Sequence, residues 1–300
     1  MNDGKVSQKF QHNQIKKSSF KVMNMRTLTS KVTIYLGLSF LGLILIIPFI
    51  WMISTSLKTP GTEFFYPPQW IPNPLIFENY RIAISRGDFI TSYMNSIKVA
   101  VFSVIPTIIL TSMAAYAFVK LKFKGRNFLF FIIITLIMIP QEVTLIPNLL
   151  LMKSLGWLDT HTALIVPTIF GSGAVFSLFV LRQNMLSIPD SLIESGKIDG
   201  ANHWQIFLKI VMPLSKSGIA TVGIFALMNS WNDFIYPLVY LNSQKKYTLP
   251  LTIAMFQQAY GMTEWTVWVA AATISMLPVF IAYLFAQKQF IDSMAITGIK

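Results

Sequence analysis

Six long stretches of the sequence are apolar and nearly free of charge, and polar connections separate them. A helix of about 20 residues crosses roughly 30 Å of hydrocarbon, and each stretch reaches that length. Only the third and fifth stretches contain an acidic residue, Glu142 and Asp233 respectively. The pattern therefore predicts six membrane-spanning helices, at residues 32–57, 99–119, 127–152, 160–181, 217–244 and 265–287.

The composition agrees with a membrane protein. The chain is 54% hydrophobic and 12% charged, whereas about 25% of the residues of a soluble globular protein are charged. Basic residues concentrate on the cytoplasmic side of membrane proteins, so both termini are predicted to be cytoplasmic. The net charge of +12 then reflects topology and contact with anionic lipid, with no need for nucleic acid. Most of the 24 Lys and Arg residues lie in the segments 1–31, 120–126, 182–216 and 288–300.

The first 31 residues are basic and polar and show no apolar periodicity. We therefore predict a basic cytoplasmic tail at 1–31 and one transmembrane domain at 32–300. The chain contains no cysteine, so disulfide and thiol chemistry are excluded.

A polar segment at residues 187–213 separates the fourth and fifth apolar stretches. Ser187 and Asp190 fit a capping box at the start of a short helix, and Gly200 in the pair Asp199-Gly200 supplies the left-handed turn that ends it. A second short helix is predicted from about Asn202, and Pro213 closes it. The residues alone leave two interpretations open, an amphipathic connector without a partner and a docking surface at the cytoplasmic face.

This segment resembles the cytoplasmic EAA loop of ABC importer permeases, in which an acid, a turn and a proline follow in register. Ser195 and Gly196 stand where the family has two alanines. The matching residues are Glu194, Asp199, Gly200, Ala201, Phe207 and Pro213. Three further segments resemble the carbohydrate-importer branch, in particular the short-tailed sister permease of the maltose type: FFYPPQWIPNPLIFENY, NSWNDFIYPLVYLNSQKKYTLPL and FIDSMAITGIK.

The resemblance implies an all-α membrane protein with the type I importer permease fold and a cytoplasmic coupling helix-turn-helix. It also implies a multi-pass chain in a bacterial or archaeal cell membrane. The expected partners are a second permease, two ATP-binding cassette subunits, an extracellular sugar-binding protein and a carbohydrate. The residues that would contact the ATPase are Glu194, Ser195, Gly196, Asp199, Gly200 and Ala201.

The chain itself is predicted to be a transport subunit without enzymatic activity. It contains no G-x-x-x-x-G-K-[ST] phosphate-binding loop. We therefore expect ATP and Mg to bind the partner ATPase, with no catalytic residue, cofactor or metal site in this chain. Its three histidines are scattered, at positions 12, 161 and 203.

Two acidic residues inside apolar stretches are candidates for the substrate path, because ionisable residues are costly within a membrane. Amides and carboxylates can bond sugar hydroxyls, and aromatic faces can stack on a sugar ring. A structural role, as hydrogen bonds between helices or as a kink, is the alternative for the same residues. The candidates are Glu142, Asn229, Trp231, Asn232, Asp233 and Tyr236.

Two other functions compete with the importer subunit. An ion-coupled secondary transporter would use Glu142 or Asp233 to carry a proton. A membrane scaffold would only bind a partner through the loop at 187–213. The loop signature and the missing phosphate-binding loop favour the importer.

Overall fold

The computed structural model describes the backbone of residues 3–259 and 264–297 and the side chains of residues 30–256 and 264–289. Every regular element in these ranges is helical, which confirms the all-α prediction. Four helices there are long and apolar enough to cross a membrane: Ser30–Ser56, Phe89–Lys120, Thr162–Leu186 and Trp265–Gln289. A fifth candidate is bent by 79° between His203–Leu214 and Lys216–Trp231. The count of six spans and the cytoplasmic placement of both termini stay predictions.

The first helix, α1 (Asp3–Ser56), continues through the predicted tail and the first apolar stretch. Residues 5–36 contain neither Gly nor Pro, so nothing in that part of the sequence interrupts helical hydrogen bonding. The basic segment is therefore helical, although its polar pattern gives no sign of this. Its cytoplasmic location stays a prediction.

Two helices follow, the short α2 (Glu78–Ser85) and the long α3 (Phe89–Lys120). Helix α3 begins well before residue 99, the predicted start, because the segment that precedes the apolar stretch is also helical. Small hydroxyl side chains along α3 are buried and let neighbouring helices approach closely. Helix α3 packs against six other helices among the described residues, and this position makes it the central helix of the fold.

The third apolar stretch is not one helix. It consists of α4 (Arg126–Thr135), a 3₁₀ turn at Leu136–Met138 and α5 (Leu145–Ser154). Pro140 lies in the break, and its missing N–H removes a helical hydrogen bond. The predicted continuous span at 127–152 therefore differs from the structure.

The fourth stretch is interrupted at Gly171, between α6 (Thr162–Phe170) and α7 (Ser172–Leu186). A Cβ atom on Gly171 would lie 2.7 Å from the carbonyl oxygen of Pro167, so only glycine fits this junction. The start of α7 lies next to the break in the third stretch, where Gln141 donates a hydrogen bond to Ser172.

The polar segment forms α8 (Asp190–Ile198), α9 (His203–Ile206), a π-helical turn at Phe207–Val211 and α10 (Met212–Leu214). These elements form the predicted helix-turn-helix. The second helix is therefore less regular than predicted, since only its first turn is α-helical.

The fifth stretch is also interrupted. Helix α11 (Lys216–Trp231) ends before Asn232, and α12 (Ile235–Tyr240) follows. Pro237 lacks the N–H that would continue the helix past Asp233. The predicted span at 217–244 is therefore two helices with a polar break, and α13 (Leu249–Ala259) and α14 (Trp265–Thr297) complete the described chain.

Candidate functional site

The polar segment at 187–213, named the coupling loop here after its predicted role, has a turn that is held by its own backbone. Gly200 adopts a left-handed conformation with φ of 79°. The N–H of Ala201 donates to the carbonyl of Gly196 at 2.9 Å, and that of Gly200 donates to the carbonyl of Lys197 at 3.0 Å. These two bonds form a Schellman motif, which satisfies the last carbonyls of α8. The predicted role of Gly200 in the turn therefore has a geometric basis.

The second helix of the loop begins with a capping box. Asn202 Oδ1 accepts from the N–H of Gln205, and Gln205 Oε1 accepts from the N–H of Asn202, both at 2.9 Å. The predicted capping box of Ser187 and Asp190 is absent. Ser187 Oγ instead donates to the carbonyl of Asn184 at 2.7 Å, because Ser187 still belongs to the last turn of α7.

One side of the loop is packed into the membrane domain. Five of its apolar side chains are buried in a cluster shared with α3, α7 and α11. Gly196 lies against this cluster, since a Cβ atom there would be 2.9 Å from Ile210 Cδ1. The glycine that replaces a family alanine therefore allows close packing. The five buried side chains are Ile188, Ile193, Ile206, Phe207 and Val211.

The other side of the loop is exposed. Glu194, Ser195, Asp199 and Gly200 are all accessible, and Ala201 is half-buried. Ile198 is 86% exposed at the tip of α8. Gly196 is the one predicted coupling residue of the loop that is buried.

A lysine of α3 fixes the start of α8. Lys120 Nζ donates to the carbonyl of Ile188 at 2.6 Å and to Asp190 Oδ1 at 2.7 Å. The hydrogen bond from Lys120 holds the pKa of Asp190 below its usual value, and the charges of Lys120 and Lys122 act in the same direction. Sequence reasoning did not find this contact, because nothing in the segment 120–126 points to α8.

A cavity of about 680 Å³ lies between the broken helices. Its wall includes the break before α5, the start of α7 and the break between α11 and α12. The structure therefore brings five of the six predicted path residues to one cavity. They are Glu142, Asn229, Asn232, Asp233 and Tyr236.

Trp231 lies elsewhere, although it neighbours Asn232 in the sequence. Its ring is 4% exposed, and its Nε1 donates to the carbonyl of Ser275 at 3.0 Å. Its ring also meets that of Tyr93 edge to face, with centroids 5.8 Å apart. Trp231 therefore joins α3, α11 and α14 in the core.

Gly173 leaves room for the amide of Asn229 in the cavity wall because it has no side chain. A Cβ atom on Gly173 would lie 2.9 Å from Asn229 Nδ2. Gln141 donates to the hydroxyl of Ser172 nearby, and both residues line the cavity. Sequence reasoning missed Gln141 and Ser172, although the segment Gly171-Ser172-Gly173 inside an apolar stretch was a usable signal of a break.

The far end of the cavity is bordered by Tyr240, whose ring centroid is 5.6 Å from that of Tyr236. The carbonyl of Tyr240 accepts from the N–H of Asp159 at 2.8 Å. Among the described side chains, no group of His, Asp or Glu is placed to hold a metal ion.

A family model for binding-protein-dependent transport system inner membrane components matches residues 107–295. The arabinooligosaccharides transport system permease protein AraQ of Halalkalibacterium halodurans is 32% identical over 283 residues, which are 92% of this chain and 100% of the relative. The lactose transport system permease protein LacG of Rhizobium radiobacter is 29% identical over 260 residues, which are 87% of this chain and 93% of the relative.

Solved structures share the fold. A chain of a bacterial ABC transporter that imports the acidic polysaccharide alginate has a TM-score of 0.73 and 26% identity, covering 86% of this chain and 95% of that chain. A chain of an alginate ABC transporter in complex with an alginate pentasaccharide-bound periplasmic protein has a TM-score of 0.60 and 16% identity, covering 83% and 91%. The second likeness concerns the fold alone.

The apolar helices and the comparisons together identify a transport component that is a multi-pass integral membrane protein. This chain belongs to the family of binding-protein-dependent transport system inner membrane components. The resemblance identified from the loop signature is thus confirmed. The alternative of an ion-coupled secondary transporter is wrong, because members of this family depend on a binding protein.

Proposed function

We propose that this chain is one permease subunit of a carbohydrate importer in a bacterial or archaeal cell membrane. Relatives that cover most of the chain are named for the transport of arabinooligosaccharides and lactose. The structural neighbour with the higher identity belongs to an importer of alginate. Together with the three segments of the carbohydrate-importer branch, these names support a sugar as the cargo.

The proposed assembly contains this chain, a second permease, two ATP-binding cassette subunits and an extracellular sugar-binding protein. The family description, which is that of a binding-protein-dependent transport system, supports the last of these partners. ATP and Mg would bind only to the ATPase subunits. This chain would hold no cofactor and perform no covalent step.

The observation that carries the proposal is the division of the coupling loop into two sides. Its buried side packs on α3, α7 and α11, while Glu194 and Ile198 face outward. A loop built in this way can transmit a push from a partner to three helices at once. ATP-driven closure of the ATPase subunits would carry the loop and rock the helices between inward-open and outward-open states.

The cavity would form part of the sugar path. Amides of Asn229 and Asn232 and the tyrosine pair offer groups that bond hydroxyls and stack on sugar rings. Among the described lining residues there are carboxylates at Glu142 and Asp233 and no Lys, Arg or His. Because like charges repel across a low-dielectric cavity, this lining suits an uncharged sugar better than an acidic one.

The test is an affinity purification of the tagged chain from its native membrane, with co-purifying proteins identified by mass spectrometry. Wild type is compared with Glu194→Arg, which reverses the charge on the exposed side of the loop. Glu78→Arg on α2 is the matched control, since Glu78 is an exposed acid on an element far along the chain from the loop.

We expect a P-loop ATPase and a second permease to accompany the wild type and the Glu78→Arg control. The ATPase should be lost from Glu194→Arg. If the wild type is recovered without an ATPase, the importer assembly is refuted. If the ATPase stays with Glu194→Arg in full, the assigned role of Glu194 is wrong.

A further inference from the structure

Helix α3 has polar attachments at both of its ends. It contains 32 residues and is therefore about 48 Å long. Side chains near each end bond to segments that are far away in the sequence. The attachments at one end involve the coupling loop, and those at the other end involve the segment before and at the start of α13.

At the end next to the coupling loop, Lys120 is nearly enclosed. Its side chain is only 4% exposed, while that of its partner Asp190 is 79% exposed. The ammonium group donates both to this carboxylate and to the carbonyl of Ile188. The buried ammonium thus has one carbonyl and one carboxylate acceptor, and a charge-assisted bond is stronger than a neutral one. These two bonds fix the direction in which α8 leaves α7.

One turn earlier, Tyr116 contacts the second helix of the loop. Its hydroxyl lies 3.1 Å from His203 Nδ1, and its ring centroid lies 5.4 Å from that of Phe207. Residues four apart lie on one face of a helix. Both helices of the coupling loop are therefore attached to the same face of α3.

At the opposite end, Asn95 Nδ2 donates to the carbonyls of Lys245 and Tyr247 at 2.9 and 3.0 Å. Ser96 Oγ accepts from the N–H of Leu249 at 2.8 Å, which ties α3 to the first residue of α13. A buried hydroxyl pair, Ser92 with Thr252 at 2.6 Å, continues the contact.

Between these ends the helix is continuous, although it contains Pro106. Hydroxyls of Thr107 and Thr111 donate to the carbonyls of Ser103 and Thr107 at 2.7 and 2.6 Å. These bonds occupy carbonyl groups on either side of the proline. The two ends of α3 therefore belong to one continuous helical element.

We propose that α3 links the coupling loop to the segment at 245–252, with Lys120 as the positioning residue that makes α3 follow the loop. The proposal rests on the proposed function, since it assumes that an ATPase moves the loop. Helices α7 and α11 are joined to the loop by the chain itself, and their side chains in the shared cluster are apolar. Apolar contacts are not directional, whereas the bonds of Lys120 specify one arrangement.

The test uses the complete importer reconstituted in proteoliposomes, with sugar uptake and ATP hydrolysis measured on the same sample. Lys120→Met removes the ammonium and keeps most of the side-chain volume, and Lys120→Arg restores a cation. Asp190→Asn weakens the same contact from its exposed partner. Lys124→Gln is the control, because Lys124 is an exposed lysine in the same connection.

We expect Lys120→Met to keep the ATPase bound and hydrolysing, with sugar transported per ATP reduced about two- to thirtyfold. Asp190→Asn should show a smaller reduction, Lys120→Arg a partial recovery, and Lys124→Gln none. Asn95→Ala, at the other end of α3, should also lower transport per ATP. A merely structural role would lower uptake and hydrolysis together.

Other outcomes overturn the proposal. Unchanged transport per ATP in Lys120→Met means that α7 and α11 are sufficient to transmit the movement of the loop. Loss of the ATPase from Lys120→Met alone means that Lys120 acts in docking. If Lys120→Met does not accumulate in the membrane, the exposed Asp190→Asn decides, and an unchanged ratio there refutes the link. If the wild type binds no ATPase, the proposed function itself fails.

Discussion

The coupling loop and the cavity are built from very different stretches of chain. The loop takes its shape from neighbours in one short segment, through a Schellman turn at Gly200 and a capping box at Asn202. The cavity needs breaks in three apolar stretches that are widely separated in sequence. Local hydrogen bonds therefore shape the part proposed to meet the ATPase, whereas helix breaks shape the part proposed to meet the sugar.

The two regions also use glycine differently. Gly200 supplies a backbone conformation that other residues rarely adopt. Gly173 has an ordinary backbone and supplies space, since Asn229 occupies the position where a side chain would begin. Substitution of the first should damage the turn, and substitution of the second should damage the wall of the cavity.

The largest effect is expected from Gly173→Val. The added methyl groups would overlap with Asn229, and overpacking of this kind costs about 1–3 kcal/mol. We expect sugar uptake to fall strongly while the ATPase still co-purifies with the chain. Gly223→Ala is the control, because its Cβ would lie at an ordinary 3.4 Å from Ile108. Normal uptake by Gly173→Val would remove the cavity from the path.

The next effect is expected from Gly200→Val, in the other region. A non-glycine residue in the left-handed conformation costs about 1–2 kcal/mol, so α8 and α9 should lose their fixed angle. Recovery of the ATPase in the affinity purification should fall, in contrast to Gly173→Val. Equal recovery from both variants would break the distinction between the two regions.

The same distinction explains what could be predicted from the sequence. Gly200 is a local signal, so the turn was predictable. The prediction that Pro213 closes the second helix was wrong, because Pro213 lies inside α10, where the first turn of a helix tolerates a proline. The first cap was wrong, because α7 extends to Leu186 and includes Ser187 in its last hydrogen bonds. Lys120 could not be assigned, since its contact with Asp190 depends on the packing of α3 beside the loop.

The cavity was predictable only where a charge or an amide marked it. Glu142 and Asp233 were noticed because carboxylates are rare in apolar stretches, and both stretches prove to be broken near them. Trp231 was grouped with them by proximity in sequence. A helix turns by 100° per residue, so the ring of Trp231 faces the core while Asn232 reaches the cavity.

A smaller effect is expected from Asn202→Ala. Loss of the capping box costs about 1 kcal/mol, and it leaves the backbone conformation of Gly200 possible. We expect a partial loss of ATPase recovery, weaker than for Gly200→Val, and a modest fall in the thermal unfolding temperature. Asn202→Ser should restore much of the difference, because serine is also a good capping residue.

The smallest effect is expected at Asp159, which joins the edge of the cavity to the segment after α12. Its carboxylate accepts from the N–H groups of Asn242 and Ser243 at 3.0 and 2.9 Å and forms an ion pair with Lys246 at 2.9 Å. Hydrogen bonds lower the pKa of Asp159 far below its usual value. The largest contribution comes from the hydroxyl of Ser243, and smaller ones come from Lys246 and the two N–H groups. A partly exposed pair of this kind contributes roughly 0.5–1 kcal/mol.

The sign of the pH dependence follows from that lowered pKa. The contribution of Asp159 is complete above the pKa of the unfolded chain, about 3.9, and disappears as the pH falls through the lower pKa of the folded state. Thermal unfolding of the purified complex should therefore differ between wild type and Asp159→Asn by the same amount from pH 8 to pH 5. The difference should shrink only in stronger acid.

Lys246→Met should be non-additive with Asp159→Asn, since the two residues share one interaction. If the difference in unfolding temperature between wild type and Asp159→Asn changes between pH 8 and pH 5, a group other than the Asp159 carboxylate titrates in this contact. The stability of the cavity edge would then depend on more than this one carboxylate.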